Sequence, residues 1–546
     1  MVRELRLVPA ALVAWTVTLG LLIGVPRVGL VVVAVVVGFA VARHVGQAIV
    51  TAVVGTCAWA VTSARLAMRP PLDDEFVAQL TAAPKQVDSG SWLLTVCIDD
   101  YPGTVAVFTD ELPKPEGGAS GAIVHVAGTW SESDRVSLAG HTISGSVELV
   151  APPTGFQGWA AQVRATFAES VAAHVPEHSQ GLIPGMVLGD TSLQSAAEQD
   201  AYIATGLSHL SAVSGANVAI VTTAAAIAAR LVGLGLRGQV AASAVALGIF
   251  VGLVGGEPSV LRAAITGVVG LVAVLASSAS EPIHALCLAV IALVFLDSDM
   301  AANYGFALSV AATAGIIVLH PLLYRALAPT GWPDIVVRAL AVAIAADIVT
   351  MPIIALMAGE VSLVSVVANV LVAPATPPVT VLGLVAVLLS LIPGGLEQLV
   401  YLAITPLTWW INFVGTHLAQ LPIATVEATP WYTLLGYGWV IVGFLLRRPR
   451  ATVAVAVCAY FAASWQPLPP AIDLERAPVH VVDTLHDTAR EQVPPGIAVI
   501  IVLDDEGPAA TRPTVTTGRV PVLYPNRDGP VTVHIDGTQH AADGRF

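Results

Sequence analysis

The chain has 546 residues, 55% of them hydrophobic and only 11% charged. A water-soluble protein of this size needs far more charge to cover its surface, so the composition points to a membrane protein with many spans. The formal net charge of −14 excludes nucleic-acid binding announced by bulk basicity, and most of the acid falls in two blocks, about 73–150 and 466–546, outside the apolar segments.

Arg3 and Arg6 precede an apolar run that begins like a signal peptide. The run continues for about 60 residues with no small-residue cleavage site, so retained helices are expected. Three spans are predicted at about 8–25, 28–42 and 46–66, the first two short enough to form a re-entrant pair. With Arg3 and Arg6 cytoplasmic, three crossings place residue 68 outside, although Arg65 and Arg69 sit on the wrong side for this arrangement. Cys57, Cys97, Cys287 and Cys458 are scattered and show no Cys-x-x-Cys or Cys/His spacing, so no disulfide framework, metal or other cofactor is expected.

Residues 70–155 change character. Short β-type runs at Trp92–Ile98, Val105–Phe108, Ala122–Ala127 and Ser146–Val150 are separated by Gly, Pro and Asp clusters, which predicts a small OB-like barrel. Such barrels often bind single strands through aromatic rings and basic grooves. Here Lys85, Lys114 and Arg135 oppose about a dozen carboxylates, and an acidic, solvated module is the plainer reading.

From 156 to 180, Phe156, Trp159, Val163, Phe167 and Val171 recur at helical spacing, predicting an amphipathic helix at the membrane surface or against the bundle. Three glycines and a proline rule out a long regular helix over Gly181–Asp190, and a polar helix is expected from Gln194 to Thr205. Spans then follow at about 211–230, 239–255, 260–277, 283–297, 303–320, 337–358, 361–374, 378–393, 396–420, 431–446 and 451–465, with a re-entrant alternative near 371–380. Arg230 and Arg237 bracket one short loop and Arg447, Arg448 and Arg450 crowd another, which marks both as cytoplasmic and sends 466–546 outside. That tail carries a strand-like Gly496–Leu503 and is otherwise rich in Pro, Gly and Asp, a small β module or a partly disordered segment.

Polar side chains inside apolar segments are costly unless they face protein or water, so they mark candidate sites. The densest run is Gly206-Leu-Ser-His-Leu-Ser-Ala-Val-Ser-Gly-Ala-Asn217, which offers Ser208, His209, Ser211, Ser214 and Asn217. On a continuous helix Ser211, Ser214 and Asn217 share a face, while Gly215 would weaken or interrupt that helix. The plainer role for each serine is interhelical hydrogen bonding and close packing. Arg262, Asn303, Asp347 and Asn369 interrupt later spans; Arg262 and Asp347 could pair, or sit at the membrane surface. A serine hydrolase built on His209 and Ser214 is disfavoured, because five residues apart on one helix they diverge by about 140°. The chain has no Gly-x-x-x-x-Gly-Lys-Ser/Thr, so it is not expected to hydrolyse nucleoside triphosphates.

The run at 206–217 resembles the signature of the ComEC family of DNA-uptake channel proteins. Four further stretches match in order: Gly181–Asp190, Pro258–Ala263, Asn303–Ser309, and Ala345–Pro352 with Ala368–Pro374. The layout agrees as well, with N-terminal transmembrane segments over 1–69, an extracytoplasmic OB-like domain over 70–155, an amphipathic helix and connecting segment over 156–205, a multi-span channel domain over 206–465 and a short tail over 466–546. The fold class is thus a polytopic α-helical membrane protein with a small extracytoplasmic β domain.

The resemblance implies a channel in the bacterial cytoplasmic membrane that admits single-stranded DNA during natural transformation. It also implies an external DNA receptor, a cytoplasmic DNA-translocating helicase or ATPase as the motor, and contact with membrane lipid. Ser208, His209, Ser211, Ser214, Gly215, Asn217, Arg262, Asn303, Asp347 and Asn369 become candidates for the DNA path. Fuller members carry a metallo-β-lactamase-like domain with His-x-His-x-Asp-His ligands, thought to degrade one strand. This tail holds His480-Val-Val-Asp-Thr-Leu-His-Asp487, then His534 and His540, with no His-x-His, so no nuclease is expected from it and a separate protein would degrade a strand. The rival reading is a transporter or exporter of a small or lipidic solute on a related scaffold.

Overall fold

A computed structural model describes residues 5–25, 27–68, 74–87, 91–99, 101, 103–112, 118–133, 135–275, 281–446, 448–464, 471–472, 474, 477–482, 497–504, 509–510, 513–516, 520–534, 537–542 and 545. The uninterrupted apolar runs at the N-terminus form α1 (Val8–Leu22), α2 (Gly29–Val41) and α3 (Val45–Ala67). At 1.5 Å per residue the 15 residues of α1 and 13 of α2 give about 22 and 20 Å, short of the roughly 30 Å hydrocarbon core. No residue of α2 is buried, as suits a helix facing lipid. Thr62 on α3 donates to Thr18 on α1 (3.3 Å), and Val13 and Val32 close over Gly55.

The barrel follows. Its strands are β1 (Glu75–Leu80), β2 (Lys85–Gln86), β3 (Trp92–Ile98), β4 (Thr104–Thr109), β5 (Ile123–Glu132) and β6 (His141–Ala151). They hydrogen-bond in the order β1-β5-β6-β4-β3-β2, and β1 also pairs with β3, so five strands close on themselves. The β4–β6 pair is parallel and the others antiparallel, an OB-like arrangement. Alternate residues fill the interior: Leu80, Leu94, Val96, Val105, Val107, Val124, Val126 and Ile143 are all buried. Strand β1 was not foreseen; its Glu-Phe-Val-Ala-Gln-Leu has weak alternation, and its partners β3 and β5 lie far along the chain.

The barrel, α4 and α3 are each tied to helix ends. Arg164 of α4 (Gly155–His174) donates to the Leu253 carbonyl (2.7 Å). Desolvation pushes the Arg164 guanidinium below its ordinary pKa, with Asp190 opposing. Asp299 accepts from the Leu138 amide of the barrel. Arg65 donates to the carbonyls of Phe295 (2.7 Å) and Leu296 (2.9 Å) and to Ser298 Oγ (2.8 Å). In α4 itself Ala160, Val163, Phe167 and Val171 are buried, whereas Phe156 and Trp159, expected on the same face, are 48% and 43% exposed. These two rings pack on each other at the helix start, one turn outside the buried stripe.

Next come α5 (Glu177–Gln180), α6 (Leu182–Leu188) and α7 (Ala196–Ala204). All seven residues of α6 are buried, and the helix stops at Gly189. The remaining helices are α8 (Gly215–Leu231), α9 (Leu236–Val254), α10 (Pro258–Leu275), α11 (Pro282–Leu296), α12 (Tyr304–Leu327), α13 (Asp334–Ala358), α14 (Ser365–Val372), α15 (Thr376–Ser390), α16 (Glu397–Ala419), α17 (Pro430–Leu445) and α18 (Pro449–Ser464). Between them β7 (Glu360–Ser362) pairs with β8 (Thr425–Glu427). Among the described residues six helices are long and apolar enough to cross a membrane. A seventh span is counted if α14 and α15, which meet at 55°, act as one; this bent pair covers the region near 371–380. Helices α12 and α13 approach closely because Gly315 has no side chain: a Cβ there would stand 2.5 Å from the Ala345 carbonyl oxygen.

The chain separates into two compact units, Met1–Gln194 with Tyr202–Thr452, and Ser195–Ala201 with Val453–Phe546. In the second, β9 (Val479–Val482), β10 (Val499–Val502) and β12 (Pro521–Leu523) are parallel, and β11 (Thr514–Val515) runs antiparallel to β12. A hairpin of β13 (Val531–Val533) and β14 (Gln539–Ala541) follows. The tail therefore contains more sheet than the one strand expected, because Val479–Val482 and Pro521–Leu523 are too short to stand out alone. Of the predicted His/Asp cluster, Asp483, His486 and Asp487 lie outside the described residues.

The tail should be acid-sensitive. Asp528 accepts from Arg527 (2.8 and 2.9 Å) and from the Ala510 amide (2.8 Å). Burial opposes its charge, but these bonds and the nearby Arg545 outweigh burial and hold its pKa below the ordinary carboxylate value. A depressed folded-state pKa stabilises fully above the unfolded value of about 4, and this contribution is lost as pH falls through the folded one. Hydrogen exchange on the whole chain should show β12 and the 525–529 turn opening below about pH 4, with Asp528→Asn removing the pH dependence.

Candidate functional site

The polar run at 206–217 does not form the continuous helix expected from 211. Gly206 adopts a left-handed conformation (φ 68°). A tight 3-10 turn covers Ser208–Ser211, Ala212 is extended, and Ser214 is the N-cap of α8. Ser211, Ser214 and Asn217 therefore do not share a helix face, and the angular argument against a His209–Ser214 pair loses its premise. The bonds speak instead: the His209 ring Nδ1 pairs with the Gly206 carbonyl (3.1 Å), and Ser214 Oγ donates to Asn217 Oδ1 (3.0 Å). His209 Nδ1 and Ser214 Oγ thus bond to other groups and not to each other.

Two of the other stretches singled out in sequence, Gly181–Asp190 and Pro258–Ala263, meet this break. Asn217, 1% exposed, donates to the Met186 carbonyl of α6 (2.7 Å), fixing the start of α8 to the buried short helix. Gln194 donates to Ser211 Oγ (3.0 Å), and Ser259 of α10 donates to the Val213 carbonyl in the extended link (2.8 Å). The Ser259 bond satisfies a backbone carbonyl that the break would otherwise leave unpaired. Gly215, the first residue of α8, faces Arg262: a Cβ there would lie 3.5 Å from Arg262 Nη2 and from Ala263 Cβ. On the other side, a Cβ on Gly206 would stand 2.7 Å from Ser365 Cβ at the start of α14.

Arg262 and Asp347 are both buried, and they do not pair. Arg262 Nε donates to Ser309 Oγ of α12 (2.8 Å). Asp347 accepts from Ser365, whose Oγ lies 3.0 Å from both carboxylate oxygens, and from the Tyr437 hydroxyl of α17. Asn303 is exposed and caps α12, its Oδ1 accepting from the Phe306 amide (3.0 Å). Asn369 donates to the Ser365 carbonyl (2.9 Å) within α14. Hydroxyls, not opposite charges, hold the buried ions, and Ser309, Ser365, Tyr437, Ser259 and Gln194 were missed. A serine or tyrosine in an apolar helix carries no charge signal to betray its partner.

Ser208, His209 and Ser214 are exposed on the break. The His209 ring is held on the break by its bond to the Gly206 carbonyl. The exposed groups of the break are thus two hydroxyls and an imidazole.

Residues 186–450 match a family model described as Competence protein. The chain is also 26% identical over 284 residues to ComE operon protein 3 of Bacillus subtilis (strain 168), covering 52% of this chain and 36% of that one. It thus spans little more than a third of the length of that curated relative. No solved structure matches. The family match begins at Met186, whose carbonyl receives Asn217, and includes every polar group gathered at the break. On these residues the chain belongs to the ComEC family of competence proteins.

Proposed function

We propose that this protein is a channel of the bacterial cytoplasmic membrane that passes single-stranded DNA inward during natural transformation. The observation that carries the reading is the meeting of the Gly181–Asp190 and Pro258–Ala263 stretches at one broken helix, with Ser208, His209 and Ser214 exposed on it. A polyanion must be solvated without being trapped. Hydroxyl and amide groups do this, whereas dense Lys or Arg would hold phosphate and slow release. Motion is supplied by a cytoplasmic helicase or ATPase and delivery by an external DNA receptor. The chain acts as a conduit rather than an enzyme, and a separate nuclease degrades any excluded strand.

Residues 70–205 and 466–546 lie outside the cell in this reading. In support, the barrel's Leu138 amide donates to Asp299, and Arg164 of α4 donates to Leu253 at one end of α9, while Arg230 and Arg237 gather at the α8–α9 turn, at the other end. The acidity of the barrel favours a second reading, export or import of a small or lipidic solute, since an acidic module repels phosphate. Labelled DNA separates the two. A deletion strain should accumulate it outside and fail to bring it into the cytoplasm, wild type should restore arrival, and Asn217→Leu should not. Normal arrival of DNA in the cytoplasm of the deletion strain would exclude the channel.

A further inference from the structure

Asp347 is a buried carboxylate in the middle of a membrane helix whose partners, Ser365 and Tyr437, are both hydroxyls. A structural ion pair would set a lysine or arginine against it, fixing the ionised form. Hydroxyls behave differently, because each can turn from donor to acceptor. The ionised carboxylate accepts from both. The neutral acid donates its own proton to one and accepts from the other. The same three groups therefore satisfy both protonation states without moving a neighbour, which a cationic partner could not do.

The position of the pair adds a consequence. Ser365 is the first residue of α14, the short arm of the 55° bend, and its side chain lies against Gly206, the left-handed residue that opens the solvent-reachable break. We propose that Asp347 is a proton-binding site whose occupancy sets how firmly α14 is held against that break. On ionisation the carboxylate accepts two charge-assisted bonds and draws Ser365 in; on taking a proton from water it keeps only ordinary bonds and loosens its grip. The proton returns to water when the site ionises again, so the cycle is balanced and needs no other reactant. The inference holds whatever the cargo and does not rest on the DNA reading.

Among the described residues, the titratable group facing Asp347 is Tyr437 from α17. α12 carries His320, Tyr324 and Arg325 towards the other end of α13, where Tyr324 donates to Asp334 (2.7 Å) and Arg338 pairs with Asp334 (2.6 Å). Glu360 lies on β7 beyond the C-terminus of α13, and His209 is engaged with the Gly206 carbonyl.

The test is infrared difference spectroscopy on the full chain in lipid nanodiscs, stepping the pH. Wild type should show the carbonyl band of a protonated carboxyl group growing on acidification. Asp347→Asn should lose that band, and Asp347→Glu should restore it at a shifted frequency. Tyr437→Phe and Ser365→Ala keep the carboxyl and should each move the pH midpoint of the band, which covers the case in which Asp347→Asn does not fold. A band that survives in Asp347→Asn, or a midpoint unmoved in both hydroxyl variants, overturns the proposal. A matching band driven by sodium rather than acid in wild type overturns it too, in favour of a metal cation site.

Discussion

Arg262→Leu should cut DNA arrival in the cytoplasm by about tenfold or more while leaving the protein folded, because a buried cation contributes little net stability but dominates the local field. The guanidinium is desolvated, bonded through Nε to a neutral hydroxyl, and set with Nη2 beside the first residue of α8. Its place at the positive end of that helix makes the arrangement unfavourable for folding, which argues that the charge is retained for use. Leucine of similar reach removes the desolvation penalty and leaves only Ser309 without a donor, a loss of about 1 kcal/mol that hydroxyl rotation can recover. Thermal unfolding in detergent and uptake of labelled DNA, measured on the same variant, decide the matter. A parallel fall in both means Arg262 is structural, and unchanged uptake removes it from the DNA path. Arg262→Lys should recover only part of the function, since a compact ammonium cannot reach Ser309 and the α8 start together.

Gly206→Ala should destabilise the protein by about 2–4 kcal/mol, from about 1 kcal/mol for a left-handed alanine and the rest from overpacking. The new methyl would meet Ser365 Cβ at 2.7 Å, and the backbone there is already committed at φ 68°. The two contributions can be separated. Gly233 has φ 83° with nothing within 4 Å of a built Cβ, so Gly233→Ala should cost only the conformational part. On a Ser365→Gly background, which lacks the atom it strikes and the Asp347 bond alike, Gly206→Ala should cost only the conformational part. Denaturant unfolding of these variants provides the comparison, and equal losses for Gly206→Ala and Gly233→Ala would mean that α14 yields to the methyl.

Much of the helical architecture was legible because the bilayer imposes a single rule on lipid-facing segments, and long apolar runs such as Leu236–Val254 obey it. The barrel showed itself through strands like Trp92–Ile98, which match their alternating interior, while β1 depended on partners remote in sequence. The polar break was legible as composition and illegible as geometry. Ser211, Ser214 and Asn217 obey helical spacing on paper, yet Gly206 and Gly215 let the chain turn, extend and restart, with Gln194 and Ser259 bonding to the residues between. Opposite charge suggested an Arg262–Asp347 pair. The bundle holds each ion with hydroxyls from other helices, Ser309 in one case, Ser365 and Tyr437 in the other, and one sequence says nothing about which helices touch.

Arg65 stood against the orientation of the first three helices when counted as a positive charge on the wrong side. Its guanidinium gives its hydrogens to Phe295 and Leu296, the last carbonyls of α11, and to Ser298. A helix carries partial negative charge at that end, so the arginine and the helix terminus form a closed local dipole. Orientation during membrane insertion responds to cations that stay free to interact with the membrane potential and anionic lipid. The partners of Arg65 lie about 230 residues further along the chain, so its charge is neutralised only once α11 has been made.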